Sequence, residues 1–359
     1  MEFLSEYGVF LAKTLTLVLA LFFLVASVFN LSTKHKKKSG RLEITNLSEQ
    51  FKDVEDELTL HLVSEDEANI IEKDQRKAEK KQHKADVKAF KKAHKNKADK
   101  TDETVVESAP ERLFVIDFTA GIDAKEVSSL REEITAILSV ASSQDEVLVR
   151  LESGGGVVHG YGLASSQLER LKQANIKLTV AVDKVAASGG YMMACIADHL
   201  IAAPFAIVGS IGVVAQIPNF NRLLKKNSVD IEQLTAGEFK RTLTMFGEND
   251  DAGRAKFQLE LEETHVLFKN FVSQHRPEMD IDKIATGEHW FGTHAYERGL
   301  VDTLQTSDDY LLQANKTKKI YTIKYVVRKK LAEKLAQAAS MAISQSLNKL
   351  LRQNNFPQI

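Results

Sequence analysis

The sequence is poor in cysteine, tryptophan and proline. Its 359 residues include one cysteine, one tryptophan and five prolines, and aromatic residues make up 7%. A single cysteine, Cys195, excludes an internal disulfide framework. Because Cys195 lies in an apolar run, we expect a packed thiol rather than a reactive one.

Long apolar runs are also few, and the one at residues 9–29 predicts a membrane span. It has 21 residues with a single charge, Lys13, and a helix rising 1.5 Å per residue would then match a hydrocarbon core of about 30 Å. The leader 1–8 carries no basic residue and no small-x-small cleavage site follows, so we expect a retained anchor rather than a signal peptide. The basic stretch 34–41 follows the span and favours a cytoplasmic position for the rest of the chain, although large domains can cross against such a bias and the periplasmic side stays open.

A second apolar run, residues 186–214, is open to two interpretations. It could be a membrane span, but the adjacent ionisable pair Asp198 and His199 would be costly inside a bilayer, and Pro204 divides the run. We therefore predict a short buried helix, a strand over 199–204 and a glycine-rich turn over 208–214.

The net charge of −1 conceals two opposed blocks within residues 30–110. Nine acids lie between Glu43 and Glu67, and twelve Lys or Arg residues lie between Glu72 and Lys100. This composition predicts a charged stalk, helical or disordered. Anionic lipid headgroups are a better target for its basic part than a nucleic acid, because stacking aromatics are lacking. We expect no nucleic-acid partner.

From Arg112 onwards, apolar strands alternate with amphipathic helices. Strands are predicted at 112–118, 146–152 and 177–182, and Asp123 is expected to cap a helix that runs to Val140. This order predicts a parallel α/β sheet in a domain over residues 111–315. The tail, residues 316–359, reads as a strand and an amphipathic helix that packs against the domain or a sister subunit, or lies on the membrane.

Two glycine-rich stretches fall where predicted strands meet helices. In parallel α/β folds such junctions collect reactive groups. Ser188 begins a predicted helix, and the N–H of Gly189 could face an oxyanion formed on an attacked carbonyl. Residues 154–156 are three glycines, which suit a second N–H donor and an extended peptide lying alongside. Either stretch could also be a plain turn.

A serine nucleophile needs a base. Among the histidines, His199 has no clear orienting carboxylate, and four others are possible bases but more typical of surface or core positions: His159, His265, His289 and His294. Lys240 is the alternative, because burial can lower the pKa of a lysine towards neutrality. It follows a predicted strand and a glycine turn, and we expect it at the floor of the site.

The ordered motifs at 186–198, 209–214, 235–243 and 287–302 resemble the signal peptide peptidase A family of serine peptidases, in particular its SohB branch. The resemblance covers about residues 112–309, with anchor and stalk in agreement. It implies a ClpP/crotonase-like fold of repeated strand-strand-helix units and a catalytic Ser-Lys dyad.

Transferred by motif, Ser188 is the nucleophile, Lys240 the general base, and the N–H groups of Gly189 and Gly155 form the oxyanion hole. The family loop usually reads Ser-Pro-Gly-Gly, and Gly154 stands here in the proline position, so Gly156 stays open as the second donor.

The resemblance further implies a homo-oligomeric, membrane-anchored endopeptidase of the bacterial inner membrane. Its expected substrates are membrane-associated, signal-peptide-like or misfolded polypeptides, and no metal or cofactor is required. The alternatives are a crotonase-like acyl-thioester enzyme and a catalytically idle membrane scaffold.

Overall fold

The structure is a computed structural model that describes residues 7–11, 13–17, 40–98 and 111–327. Most of the predicted span 9–29, the end of the stalk and the C-terminal helix lie outside these residues. Among the described residues, no helix is long and apolar enough to cross a bilayer, so the structure gives the predicted span no support.

The chain separates into two compact units, residues 1–41 with 326–359, and residues 42–325. The described part of the first consists of helical residues 7–11 and 13–17 and the outer ends of two strands. The second contains the sheets and helices described below.

Ten strands form two sheets in the described part of the chain. Seven strands make the large sheet, in the order β1-β10-β2-β3-β4-β6-β9, and the contiguous strands from β10 to β9 are parallel. The remaining three form a small sheet in the order β5-β7-β8. The strands are β1 (Gly40–Asn46), β2 (Arg112–Thr119), β3 (Glu146–Glu152), β4 (Lys177–Val182), β5 (Val185–Ala187), β6 (His199–Ala202), β7 (Ile207–Gly209), β8 (His289–Phe291), β9 (Thr303–Leu304) and β10 (Lys319–Val327).

Helices connect these strands, as parallel pairing requires. They are α1 (Leu47–Leu62), α2 (Glu65–Ala98), α3 (Val127–Leu138), α4 (Val158–Gln173), α5 (Gly189–Ala194), α6 (Asn221–Lys226), α7 (Asp251–His275), α8 (Ile281–Ile284), α9 (Gly292–Glu297) and α10 (Ser307–Ala314). The mixed α/β class expected from the alternating pattern is confirmed.

The large sheet is apolar on both faces, because its central strands are almost continuous runs of Val, Ile and Leu. One face packs against α3, α4 and α5 and forms the main core. The other face packs a smaller cluster against α10 and the start of α1. The nucleophile candidate lies at the N-terminus of α5, next to the main core.

The start of the predicted stalk joins this sheet. The strand β1 lies beside β10, and Leu47 and Phe51 of α1 pack on the smaller cluster. The Asn46 side chain caps α1 by accepting from the N–H of Glu49, and Ser48 Oγ accepts from the N–H of Ile320 at 2.9 Å. Residues 42–62 are therefore built into the second unit, and the stalk's charged residues 65–98 are helical.

Two local predictions differ from the structure. The helix expected from Asp123 to Val140 begins only at Val127, after Glu126, because Ala124 adopts a φ of 47° and turns the chain first. Within the glycine-rich segment predicted as a turn, the first residues complete β7, which pairs with β5 and β8 in the small sheet. That sheet could not be predicted from the local sequence pattern, because its strands have only three residues each.

Candidate active site

Ser188 occupies a sharp turn between β5 and α5. Its φ of 52° and ψ of −119° lie in a region that favours glycine. Its N–H donates to Gly209 O at 2.8 Å, which holds the turn against β7. The residue is half-buried, and within the described part of the chain its hydroxyl has no hydrogen-bond partner. A strained strand-to-helix turn that presents a free serine hydroxyl is the arrangement found at nucleophile elbows.

The two glycines after Ser188 are required by close packing. A Cβ on Gly189 would lie 2.4 Å from Tyr161 Cγ, and one on Gly190 would lie 2.5 Å from Ser153 O. A larger residue at either position would push α5 away from α4 and from the end of β3. The sequence Ser-Gly-Gly therefore allows the nucleophile turn to approach two neighbouring elements.

The glycine loop, residues 154–156, lies directly beside this turn. Ser153 precedes the loop and pairs with β5, since its N–H donates to Val185 O and its carbonyl accepts from the N–H of Ala187. Gly155 has a φ of 85°, and a Cβ there would lie 2.8 Å from Ser188 Cβ. Backbone hydrogen bonds of Ser153 thus fix the residue before the loop, next to the serine.

The three predicted N–H donors differ in whether they already have a hydrogen-bond acceptor. The N–H groups of Gly189 and Gly156 have no acceptor among the described residues, whereas the N–H of Gly155 donates to Ser153 Oγ at 3.1 Å. A donor that is already engaged is a poor choice for an oxyanion. Of the three predicted donors, Gly189 and Gly156 are thus the two whose N–H groups are unengaged among the described residues.

A cavity of about 1000 Å³ opens in front of Ser188. The glycine loop and Gly189 line it together with apolar side chains, including Met192 and Phe268. Carbonyl attack needs a space of this kind, in which a substrate can lie within reach of both a nucleophile and N–H donors.

His265 on α7 also lines this cavity. Its Nε2 is buried and has no hydrogen-bond partner in the described part of the chain. The other histidines proposed as bases lie elsewhere: His199 faces Asp302 with a 4.0 Å separation, and the remaining three, His159, His289 and His294, are exposed. Of the five histidine candidates, His265 alone lines the cavity.

Lys240 does not line the cavity in the single chain. Its side chain is exposed, although we expected it at the floor of the site, and its N–H donates to Gly237 O at 3.2 Å. It belongs to the segment of residues 214–249. Within this segment the Phe220 N–H donates a hydrogen bond to Met245 O. Because these polar contacts lie within the segment, they do not hold Lys240 against Ser188.

The Lys240 segment, residues 214–249, is rich in exposed apolar side chains. Val214 is 90% exposed, Leu234 is 93% exposed, and Phe239 is 55% exposed. Exposed apolar side chains of this size, where they form a contiguous patch, typically mark a contact with another protein or a membrane.

Sequence reasoning missed Ser153 and Tyr161. Both are buried, and their hydroxyl oxygens lie 2.5 Å apart behind the glycine loop. The available signal was weak: a tyrosine near the start of a helix on its apolar side needs a polar partner when buried, but the partner cannot be read from the sequence. Cys195 is buried as expected, and burial raises its pKa to about 12. Among the described residues, no group of three or more His, Cys, Asp or Glu side chains could hold a metal ion.

Family models place the chain among known peptidases. The model "Peptidase family S49 N-terminal" matches residues 2–168, and the model "Peptidase family S49" matches residues 170–321. The chain belongs to peptidase family S49. The family resemblance inferred from the sequence motifs is thereby confirmed, and the protein is a protease of the hydrolase class.

Two curated relatives match over nearly their whole length. "Probable protease SohB" of Haemophilus influenzae is 53% identical over 330 residues, which cover 92% of this chain and 91% of that protein. "Probable protease SohB" of Buchnera aphidicola from Acyrthosiphon pisum is 44% identical over 356 residues, covering 99% of this chain and 100% of that one. Among solved structures, a point mutant of the "1510-N membrane-bound stomatin-specific protease", in complex with a substrate peptide, gives a TM-score of 0.41 at 12% identity, covering 65% of this chain and 99% of that one.

Proposed function

We propose that the protein is a serine endopeptidase in which Ser188 attacks the peptide carbonyl. Lys240 takes the hydroxyl proton, and the N–H groups of Gly189 and Gly156 stabilise the oxyanion. The amine leaves with a proton returned by the base, and water then hydrolyses the acyl-enzyme. The observation that carries this proposal is the strained Ser188 turn, which lines the same cavity as Gly156 and Gly189, the two residues whose N–H groups have no acceptor among the described residues.

The choice of Lys240 rests on the motif at 235–243 and on the exposed apolar residues of its segment. Val214 and Leu234 would be covered if chains assembled. Assembly would also withdraw Lys240 from water, which is what turns a lysine into a base. We therefore include homo-oligomer formation in the proposal, with the base brought into place by contact between chains.

His265 is the rival base. It lines the cavity and has a buried, unpartnered Nε2. No carboxylate among the described residues bonds its Nε2, so they do not provide the orientation that a Ser-His mechanism needs. We therefore keep Lys240 as the base and treat His265 as the alternative that the experiment must separate.

The fold supports a ClpP/crotonase-like assignment. β4 of the large sheet is followed by β5 of the small sheet and then by α5, which is one strand-strand-helix unit. Crotonase-like acyl-thioester enzymes use paired N–H donors without a nucleophilic serine, and they remain the second candidate because the free N–H groups of Gly156 and Gly189 fit either chemistry.

For substrates, we propose extended segments of membrane-associated, signal-peptide-like or misfolded polypeptides. The apolar lining of the cavity, with Met192 and Phe268, suits apolar side chains. Residues 9–29 would anchor the protein in the bacterial inner membrane, with the basic stretch 34–41 favouring a cytoplasmic domain. A topology reporter fused after Ile359 should be active in the cytoplasm, and activity only in the periplasm would reverse this orientation.

The proposal is tested by hydrolysis of an internally quenched apolar peptide by the full-length protein. Ser188→Ala and Lys240→Ala should each lower kcat/KM by about 1000-fold or more, while His265→Ala should stay within about tenfold of the wild type. If His265→Ala is inactive and Lys240→Ala is active, the base is histidine. If both Ser188→Ala and Lys240→Ala keep full activity, neither residue is catalytic, and full cellular activity of both would favour the idle scaffold.

A further inference from the structure

The hydroxyl groups of Ser153 and Tyr161 form a buried chain of hydrogen bonds behind the glycine loop. Gly155 N–H donates to Ser153 Oγ at 3.1 Å, Ser153 Oγ lies 2.5 Å from Tyr161 Oη, and Tyr161 Oη donates to Gly121 O at 2.8 Å. These residues come from three separate segments: the end of β3, the first turn of α4 and the loop after β2.

The donor count fixes the direction of this chain. A tyrosine hydroxyl has one proton, and a carbonyl oxygen can only accept. Because Tyr161 gives its proton to Gly121 O, Ser153 must give its own proton to Tyr161 Oη. Ser153 Oγ then keeps its lone pairs for Gly155, so each member of the chain has one defined role.

The same two residues, Tyr161 through its ring and Ser153 through its carbonyl, also contact the nucleophile turn. The Tyr161 ring packs against Gly189, where a Cβ would come within 2.4 Å of Cγ, and Ser153 O packs against Gly190. Ser153 is also hydrogen-bonded through its backbone to β5, the strand that ends at Ser188. Ser153 and Tyr161 together thus contact both the glycine loop and the residues that follow the nucleophile.

We infer that Ser153 and Tyr161 are positioning residues, whose hydroxyl relay engages the Gly155 N–H and so fixes the Gly154–Gly155 peptide plane, which directly precedes the plane that carries the Gly156 N–H, beside Ser188 and Gly189. The inference rests on the proposed serine mechanism. Its chemical basis is that oxyanion stabilisation depends on donors that are fixed before the reaction begins. The relay supplies that rigidity in a loop of three glycines, which would otherwise be free to adopt many conformations.

Burial is consistent with this arrangement. Both side chains are shielded from water, and burial raises the pKa of Tyr161 even though the bond with Ser153 acts in the opposite direction. The tyrosine therefore stays protonated and keeps donating to Gly121 O. Chains of buried hydrogen bonds also strengthen one another, so removing one hydroxyl should weaken the whole relay.

The test compares Tyr161→Phe with Tyr191→Phe in the full-length protein. Tyr191 is the matched control, because its buried hydroxyl also donates to a backbone carbonyl, Leu300 O at 3.1 Å, but does not join the relay. Tyr161→Phe should lower kcat on the quenched peptide by about tenfold with KM within about twofold. Tyr191→Phe should reduce thermal stability to a similar degree and leave kcat within about twofold.

Two further variants sharpen the result. Ser153→Ala should reproduce the effect of Tyr161→Phe, and the double variant should be no worse than either, because both break one relay. Ser165→Ala removes a buried hydroxyl from α4 that has no partner in the described residues, and should change nothing in kcat. A normal kcat in Tyr161→Phe, or an equal loss in Tyr191→Phe, overturns the inference.

Amide hydrogen exchange separates this inference from the proposed function. The Gly155 N–H should exchange faster in Tyr161→Phe than in the wild type, whatever the protein hydrolyses. If the wild type shows no hydrolysis that depends on Ser188, the proposed function fails. If Gly155 exchanges equally in wild type and Tyr161→Phe, the relay itself is refuted.

Discussion

The two halves of the proposed dyad lie in regions of opposite character. The Ser188 turn is held by a hydrogen bond to β7 and by the packing of the two glycines that follow Ser188 on Tyr161 and Ser153, next to the main core. Lys240 lies in the segment 214–249, where apolar side chains as large as Phe239 are exposed. Ser188 and the glycines proposed as N–H donors therefore line one cavity within the single chain, whereas Lys240 does not line that cavity.

This difference suggests how such a protein could control its own activity. A preformed serine turn without a base is a weak nucleophile, because a hydroxyl must lose its proton to attack. If the Lys240 segment is completed only in the assembled protein, single chains would be folded and inactive.

The largest effect on activity is expected at Ser188, which is positioned within the single chain. Ser188→Gly should lower activity by about 1000-fold or more and raise the free energy of unfolding by about 1 kcal/mol, because glycine relieves the strain of a φ of 52°. Peptide hydrolysis and denaturant unfolding measure the two quantities. Ser188→Ala is the control: it should be equally inactive without the gain in stability, since alanine keeps its Cβ. A less stable Ser188→Gly protein would show that the turn is unstrained.

The second largest effect on activity is expected in the Lys240 segment. Leu234→Glu places a charge on a side chain that is 93% exposed in the single chain, so it should leave the folded chain intact and disrupt a contact between chains. We expect activity to fall by about 30-fold, the loss typical of a residue central to an interface, with a smaller assembly in sedimentation. Leu312→Glu, on the exposed side of α10, should change neither. Full activity in a dissociated Leu234→Glu protein would contradict the need for assembly.

The smallest effect on activity is expected at Glu146, on the far face of the sheet. Burial alone would raise its pKa, but hydrogen bonds from Lys318, Tyr310 and Thr179 outweigh burial and hold the pKa at about 2, below its ordinary value of 4.5. A lowered pKa stabilises the fold above about pH 4.5, and this stabilisation is lost as the pH falls towards 2.

Glu146→Gln should therefore cost on the order of 3 kcal/mol at neutral pH and flatten the stability profile between pH 4.5 and 2, with kcat unchanged. Unfolding at a series of pH values measures this. Asp145 keeps part of the acid dependence, because its pKa is also held at about 2: burial opposes this shift, but hydrogen bonds from Arg112 and Ser142 outweigh it. An unchanged pH profile in Glu146→Gln would mean that the Glu146 carboxylate is not stabilised by its neighbours.

The sequence predicted those parts of the fold that depend on local pattern. The strands 146–152 and 177–182 were located at their exact bounds, because long apolar runs between polar turns specify buried strands. The three-residue strands of the small sheet were missed, since so short a run has no readable period. The start of α3 was misplaced because a turn at Ala124 overrides the cap expected from Asp123.

The site was predictable only in its residue types. The motif identified Ser188 and its glycines, but the hydrogen bond that engages Gly155 depends on Ser153, and the bond that fixes Ser153 depends on Tyr161 and Gly121. These contacts join residues up to 40 positions apart, and no local pattern encodes them. The exposed position of Lys240 is likewise a property of the folded segment.

The central claim is that Ser188 is a nucleophile activated by Lys240. The most direct measurement is mass-spectrometric mapping of a fluorophosphonate adduct in the full-length protein and in Lys240→Ala. The account predicts an adduct on Ser188 in the wild type, formed at least about tenfold more slowly without Lys240. An adduct on another residue, or labelling of Ser188 at the same rate in both proteins, would contradict it.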